Sequence, residues 1–166
     1  MVKKAKANLK KDLAKDRAAH APALVFDIDE TSVFNAPCRE PIDWDLSGLA
    51  TCAENGQGAV TPVLALYKYA RKQRVRVVMI SGRLQALADV TTQELRRLGY
   101  SSGFQLVLKP PDYTQSSVIP YKSAARAMVE RHGYTILANV GDQRSDLAGG
   151  HSLRRYKLPN PVYVIT

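Results

Sequence analysis

A chain of 166 residues with 45 % hydrophobic content can bury a core of its own without disulfides or a structural metal, and its length fits one domain, 1–166, with at most a small insertion. Every apolar run falls short of the ~20 residues that a membrane-spanning helix needs, and residues 1–22 lack the apolar centre of a signal peptide, so the chain reads as soluble; a secreted protein without its leader would read the same way. The net charge of +9 raises the question of nucleic acid, but residues 1–20 hold seven Lys or Arg against Asp12 and Asp16, a net of +5, which leaves +4 for the remainder.

Within residues 1–20, Ala5, Leu9 and Leu13 recur every four positions, which predicts a basic, solvated helix with one narrow apolar stripe resting on the domain. No aromatic residue interleaves its lysines to stack bases, so a nucleic-acid polymer is not expected as a partner. The remaining positive charge favours small anionic substrates.

Ala23–Phe26 is the short continuous apolar run of a strand buried on both faces, and it ends in Asp27, Asp29 and Glu30. Ligands of open α/β sheets bind beyond the carboxyl ends of the strands, so acids placed there reach substrate without being buried unpaired. Period-2 geometry sends Asp27 and Asp29 to the same side, where they can share one ion and one substrate in different roles. Residues 32–60 keep no period and contain Pro37, Pro41, Gly48, Gly56 and Gly58, the composition of an irregular insertion that leaves the first strand and caps the site, with Phe34 and Trp44 at its entrance or tying it to the body. Cys38 and Cys52 flank a 13-residue polar stretch in it; neither heads a metal-type pair or a C-x5-R loop, and both a disulfide and two thiols fit the spacing.

Thr61 as N-cap and Pro62 as first helical residue open a helix to about Gln73, with Val63, Leu66, Tyr67 and Ala70 on its inner face. Val75–Ile80 is a second buried strand ending in the polar turn Ser81-Gly82-Arg83. Leu84, Leu87, Thr91, Leu95 and Leu98 mark a helix stopped by Gly99. Phe104–Leu108 is a third strand, and Pro120 opens a helix carrying Ala124, Ala127, Met128 and Arg131, closed by Gly133. Lys122 in its first turn opposes the helix dipole, a position explained either by an anion at that helix end or by a side chain turned to water. Thr135–Val140 is a fourth strand ending in Gly141-Asp142-Gln143-Arg144-Ser145-Asp146, and Val162–Ile165 a closing edge strand. Strands alternating with helices predict an α/β fold with a doubly wound parallel sheet.

Four strand or helix ends thus bring Asp27 with Asp29, Ser81, Lys122, and Asp142 with Asp146 to one sheet edge. In this order the motifs resemble those of the haloacid dehalogenase (HAD) superfamily, and within it the class B acid phosphatase-like group, subfamily IIIB, that includes plant vegetative storage proteins. They are D-x-D-E-T at Asp27–Thr31, Ser81-Gly82-Arg83, Tyr-Lys-Ser-x-x-Arg at Tyr121–Arg126 and G-D-Q-x-S-D-L at Gly141–Leu147. The Lys157-Leu158-Pro159-Asn160-Pro161 segment is similar too. One departure is Leu84, where the group often has Pro.

Phosphate monoesters need rate enhancements of up to ~10²¹, whereas one acid or base supplies ~10² to 10⁴, so charge neutralisation around the phosphoryl oxygens must do most of the work. The resemblance implies a metal-dependent acid phosphatase in which Asp27 becomes an aspartyl-phosphate and Asp29 acts as acid and then base. Ser81, Gly82 and Lys122 would hold the phosphoryl group. Mg²⁺ would be bound by Asp27, Asp142 and the Asp29 backbone carbonyl, with Asp146 water-linked behind them, Thr31 orienting the nucleophile loop and Glu30 pairing with a surface base. It further implies a small phosphate monoester as substrate and a secreted or periplasmic location. Two other readings are a non-catalytic storage or binding protein on the same scaffold, since some plant relatives lack the nucleophile that Asp27 supplies here, and a metal-dependent glycosyltransferase, which leaves Asp142 and Asp146 unexplained. Arg131-His132-Gly133 matches the histidine-phosphatase triplet but ends a helix rather than following a strand, and His20 and His151 read as surface residues.

Overall fold

The computed structural model describes residues 1–15, 21–35, 58–101 and 103–160, with Gly48 alone between the second and third stretches. His20, Trp44, both cysteines, most of the expected cap and the expected strand at 162–165 lie outside them. The described elements begin with helix α1 (Val2–Lys15), strand β1 (Ala21–Phe26) and the two-residue strands β2 (Val33–Phe34) and β3 (Gly58–Ala59). Helix α2 (Thr61–Lys72), strand β4 (Arg76–Leu84), a 3₁₀ turn (Gln85–Leu87), helix α3 (Ala88–Arg97) and strand β5 (Phe104–Lys109) follow. The rest is helix α4 (Ile119–Arg131), strand β6 (Tyr134–Gly141), the short helix α5 (Arg144–Leu147) and strand β7 (Arg155–Lys157).

Five strands form one parallel sheet in the order β5-β4-β1-β6-β7, and β2 pairs with β3 in an antiparallel ribbon where the expected cap leaves and rejoins the body. Side chains of β1 alternate strictly. Leu24 and Phe26, followed by Ile28, pack with Val77 and Met79 of β4 against Leu9 and Leu13 of α1 and Leu66 and Tyr67 of α2. Ala23 and Val25 face the other way, with Val78, Ile80 and Ile136, against Ala125 and Val129 of α4. Helices therefore cover both faces, the doubly wound arrangement expected. The chain steps from β1 to β4 and β5, then returns to the opposite side of β1 for β6, which makes the carboxyl end of β1 the switch point where such sheets bind ligands.

The stripe of α1 is buried as its spacing predicts, with Ala5, Leu9 and Leu13 all at most 5 % exposed. Other boundaries differ from expectation. Val60, not Thr61, is the residue before α2; it is extended, and its carbonyl accepts the amides of Val63 (2.8 Å) and Leu64 (3.0 Å). Strand β4 runs through Ser81-Gly82-Arg83 rather than turning there, with an irregularity in its pairing to β5 between Ser81 and Leu84. Leu84 has φ −73°, within the range that a proline ring imposes. The inward face of α4 is Lys122, Ala125, Arg126 and Val129, whereas Ala124, Met128 and Arg131 are exposed, because two long cations take places that an apolar pattern assigns elsewhere. Strand β7, absent from the sequence reading, is only three residues long.

Truncating Leu9 to Ala should lower the unfolding free energy by about 2–4 kcal/mol in urea titrations, against under about 0.5 kcal/mol for Lys10→Ala on the exposed face of α1.

Candidate active site

Asp27 begins where β1 ends, and the loop that follows is wound tightly around one carbonyl. Ile28 O accepts the amides of Thr31, Ser32 and Val33 at 3.3, 2.8 and 2.9 Å, while the Asp27 amide stays tied to Val140 O of β6 at 3.0 Å. Ser32 Oγ donates to Asp27 O (2.7 Å), and the buried Tyr100 hydroxyl donates to Ser32 O (2.8 Å). Glu30 takes the left-handed conformation at φ 56°, a cost that the surrounding bonds must offset. It is 7 % exposed and accepts the Asn35 amide, which braces the loop. With Ile28 committed to the core, Asp27 and Asp29 fall on the α4 side of the sheet.

Lys122 is buried, not turned to water. Its Nζ donates to Asp27 Oδ1 at 2.6 Å and to Asp146 Oδ1 at 2.5 Å, joining α4 to the ends of β1 and β6. That uses two of the three ammonium donors. Asp142 is 0 % exposed, and both its oxygens accept bonds: Oδ1 from Thr31 Oγ1 (2.8 Å), Oδ2 from Gln143 Nε2 and Asn160 Nδ2 (2.6 Å each). The Lys157 ammonium donates to the Asp142 carbonyl. One carboxylate oxygen from each of Asp27, Asp142 and Asp146 lies within 4.8 Å of the other two.

Three carboxyl groups gather around one lysine, more acids than this single cation can neutralise. Burial pushes the Asp27 carboxyl well above its ordinary value; Asp146 adds to the rise, Lys122 opposes it, and Asp142 and Asp29 raise it further. Burial works against the Lys122 charge, but Asp27 and Asp146 more than compensate and hold its ammonium well above the usual lysine range. An excess of buried, all-oxygen donors fits a hard divalent cation such as Mg²⁺.

A second group lies beside the first. Asp29 is gripped by Arg83, whose Nη2 donates to Oδ1 at 2.7 Å and whose Nε is 3.1 Å from both oxygens. Asn35 Nδ2 (2.6 Å) and Ser81 Oγ (3.3 Å) also donate to Asp29, and Ser81 Oγ accepts the Arg83 amide at 3.1 Å. Burial alone would raise the Asp29 carboxyl, but the charge and hydrogen bonds of Arg83, helped by Asn35, bring it below its ordinary value. The other end of the guanidinium, Nη1, donates to Glu94 Oε2 (2.6 Å) and Thr91 Oγ1 (3.1 Å) of α3.

The structure thus joins Asp27, Lys122, Asp142, Asp146 and Thr31 in one hydrogen-bonded group and Asp29 with Ser81 in a neighbouring one, Gly82 lying in the strand end between Ser81 and Arg83. The Asp29 carboxylate stands apart from the three clustered carboxylates. Asp146, expected behind the metal ligands or linked to the ion through water, binds Lys122, and the Gln143 amide donates to its Oδ2 at 2.7 Å in a capping box that aims its other oxygen at the amine. Gly141 permits this, because a β-carbon there would lie 2.3 Å from Asp146 Cβ.

Sequence reasoning assigned no role to Arg126, Glu94, Gln143 or Asn160. Arg126, 1 % exposed, donates from Nη1 to Asp146 O (2.7 Å), from Nε to Gly150 O (2.9 Å) and from Nη2 to Ala148 O, and burial pulls its guanidinium down to about 10. Its signal was the four-residue spacing from Lys122 on one helix face. For Glu94 it was an acid seven residues after Leu87 and three after Thr91, inside the inward stripe. His132 caps α4, and the exposed His151 pairs with Glu130.

A family model for the HAD superfamily, subfamily IIIB (Acid phosphatase), matches residues 1–166. The chain belongs to this family. Among HAD IIIB relatives, the Stem 28 kDa glycoprotein of Glycine max is 33 % identical over 162 residues, covering 92 % of this chain and 64 % of its own. Acid phosphatase 1 of Solanum lycopersicum is 33 % identical over 148 residues (85 % of this chain, 58 % of its own), and Vegetative storage protein 1 of Arabidopsis thaliana 30 % identical over 148 residues (85 % and 54 %). The chain therefore spans 54–64 % of the length of these curated relatives. The class C acid phosphatase from Bacillus anthracis shares the fold, with a TM-score of 0.79 at 20 % identity over 98 % of this chain and 76 % of that one.

Replacing Arg126 with Ala takes a donor from three carbonyls of the Asp146 loop, of which the Asp146 carbonyl keeps Asn139, and should cost about 3 kcal/mol in chemical denaturation, whereas Arg131→Ala on the exposed face of the same helix should cost under about 0.5 kcal/mol.

Proposed function

We propose that this chain hydrolyses small phosphate monoesters through a covalent aspartyl-phosphate on Asp27. The observation that carries the reading is the buried Lys122 ammonium, 2.6 Å from Asp27 and 2.5 Å from Asp146 at the carboxyl edge of the sheet. A lysine so placed, with two of its three donors used among the described residues, suits a site where anionic oxygens must be gathered. The same residues fit Mg²⁺, held by the carboxylates of Asp27 and Asp142 and the backbone carbonyl of Asp29, with Asp146 at hand; when bound it would neutralise phosphoryl charge.

In the first step an Asp27 carboxylate oxygen forms a bond to phosphorus as the bond to the leaving oxygen breaks, and Asp29 gives that oxygen a proton. Asp29, now a carboxylate, then takes a proton from water, whose oxygen attacks phosphorus and frees Asp27. Lys122, the Ser81 hydroxyl and the Gly82 amide hold the phosphoryl oxygens throughout. Arg83 keeps Asp29 ionised in the free protein, the form needed by the second step. An arriving phosphoryl anion shifts Asp29 toward the protonated form needed by the first.

The relative named as a storage protein keeps a non-catalytic reading in view, and phosphate release separates the two. Asp27→Asn should lower turnover of an aryl phosphate by ~10³-fold or more with the thermal melt unchanged. Retention of more than about a twentieth of the activity would remove Asp27 from the nucleophile role. Chelation with EDTA should abolish turnover and excess Mg²⁺ restore it.

A further inference from the structure

Glu94 is a buried acid that the proposed reaction does not use. Its side chain is 0 % exposed, Oε2 accepts from Arg83 at 2.6 Å, and Oε1 has no hydrogen-bond partner among the described residues. It lies on the inward face of α3 with Thr91 and Leu95, where an apolar residue would be the ordinary choice. Taking a carboxylate out of water for one ion pair, with an oxygen left over, does not favour folding over a well-packed apolar side chain. What the position does achieve is mechanical and electrostatic. A guanidinium is a rigid planar fork, so fixing Nη1 between Glu94 and Thr91 fixes the direction of the Nε–Nη2 edge that grips Asp29. Arg83 also divides its single positive charge between two carboxylates.

We infer that Glu94 is a positioning residue: through Arg83 it sets the orientation in which the Asp29 carboxyl meets the leaving oxygen. This rests on the acid and base role proposed for Asp29. Without the Glu94 carboxylate, Nη1 loses its 2.6 Å acceptor, and the fork that grips Asp29 is left with Thr91 at that end.

The consequence is dependence on the leaving group. A good leaving group departs without a proton, whereas an alkoxide needs one, and a positioned acid is worth ~10² to 10⁴ there. The test compares kcat/KM for 4-nitrophenyl phosphate and glycerol 2-phosphate in wild type, E94Q, D29N and the double variant, with thermal melts as the folding control. E94Q is expected to lose roughly tenfold or more on the alkyl ester and under about threefold on the aryl ester. D29N should show the same selectivity more steeply, and adding E94Q to D29N should change nothing further. Equal losses on both esters, or a loss that persists in the D29N background, would overturn the positioning role while leaving the proposed hydrolysis standing. If D29N itself shows no leaving-group selectivity, the acid role of Asp29 falls and the inference falls with it. Should E94Q not fold, E94D, which keeps the charge with a shorter reach, is expected to show a smaller selectivity in the same direction, and its absence would count against Glu94.

Discussion

Everything in this molecule bends around the burial of one ammonium among three carboxylates. Each of these ions costs several kcal/mol to remove from water, and the cost is recovered only if the partners meet at hydrogen-bond distance with their remaining valences filled. Lys122 meets Asp27 and Asp146 on those terms. The surrounding structure then supplies the rest: Thr31, Gln143 and Asn160 on Asp142, and Arg126 with Asn139 on the Asp146 carbonyl. Elements far apart in sequence are held in one place by polar bonds, and one carboxylate oxygen from each of Asp27, Asp142 and Asp146 is left close to the others.

The sheet makes this possible at low cost elsewhere. Strict alternation along β1 commits Leu24, Phe26 and Ile28 to one layer and turns the acids toward the other, where α4 brings its lysine. Because β4 and β6 flank β1, the Ser81 and Asp142 segments reach the same edge without long loops. Two charge systems result, side by side. In one, Lys122 organises the carboxylates around Asp27; in the other, Arg83 shares itself between Asp29 and Glu94. Separate cations hold the two aspartates of one short motif independently, which is what different roles for them require.

Much of this was legible in the sequence because it follows from period and position. Acids directly after an apolar run, an N-terminal stripe of Ala5, Leu9 and Leu13, and a lysine at the wrong end of a helix dipole each carry their own physical signal. Other features were hidden for reasons that can be named. The inward face of α4 was misread because Lys122 and Arg126 occupy it, and hydrophobic periodicity cannot count a buried cation. Strand β7 is too short to show a period. The extent of β4 was cut at Ser81-Gly82-Arg83 because small polar residues resemble a turn, though here they continue the strand through an irregular pairing. Glu94 and Asn160 bond to partners distant in sequence, and no local pattern reveals such a partner.

The central claim is a covalent one: that phosphorus passes through the side chain of residue 27. Acid quench during turnover of a phosphate monoester, followed by borohydride reduction and peptide mapping, tests it directly. An acyl phosphate on Asp27 would be reduced to homoserine at that position alone, and the signal would vanish in the Lys122→Ala variant if the ammonium is what holds the phosphoryl group. Turnover at full rate with residue 27 recovered only as aspartate, or with the adduct on another side chain, would contradict the account.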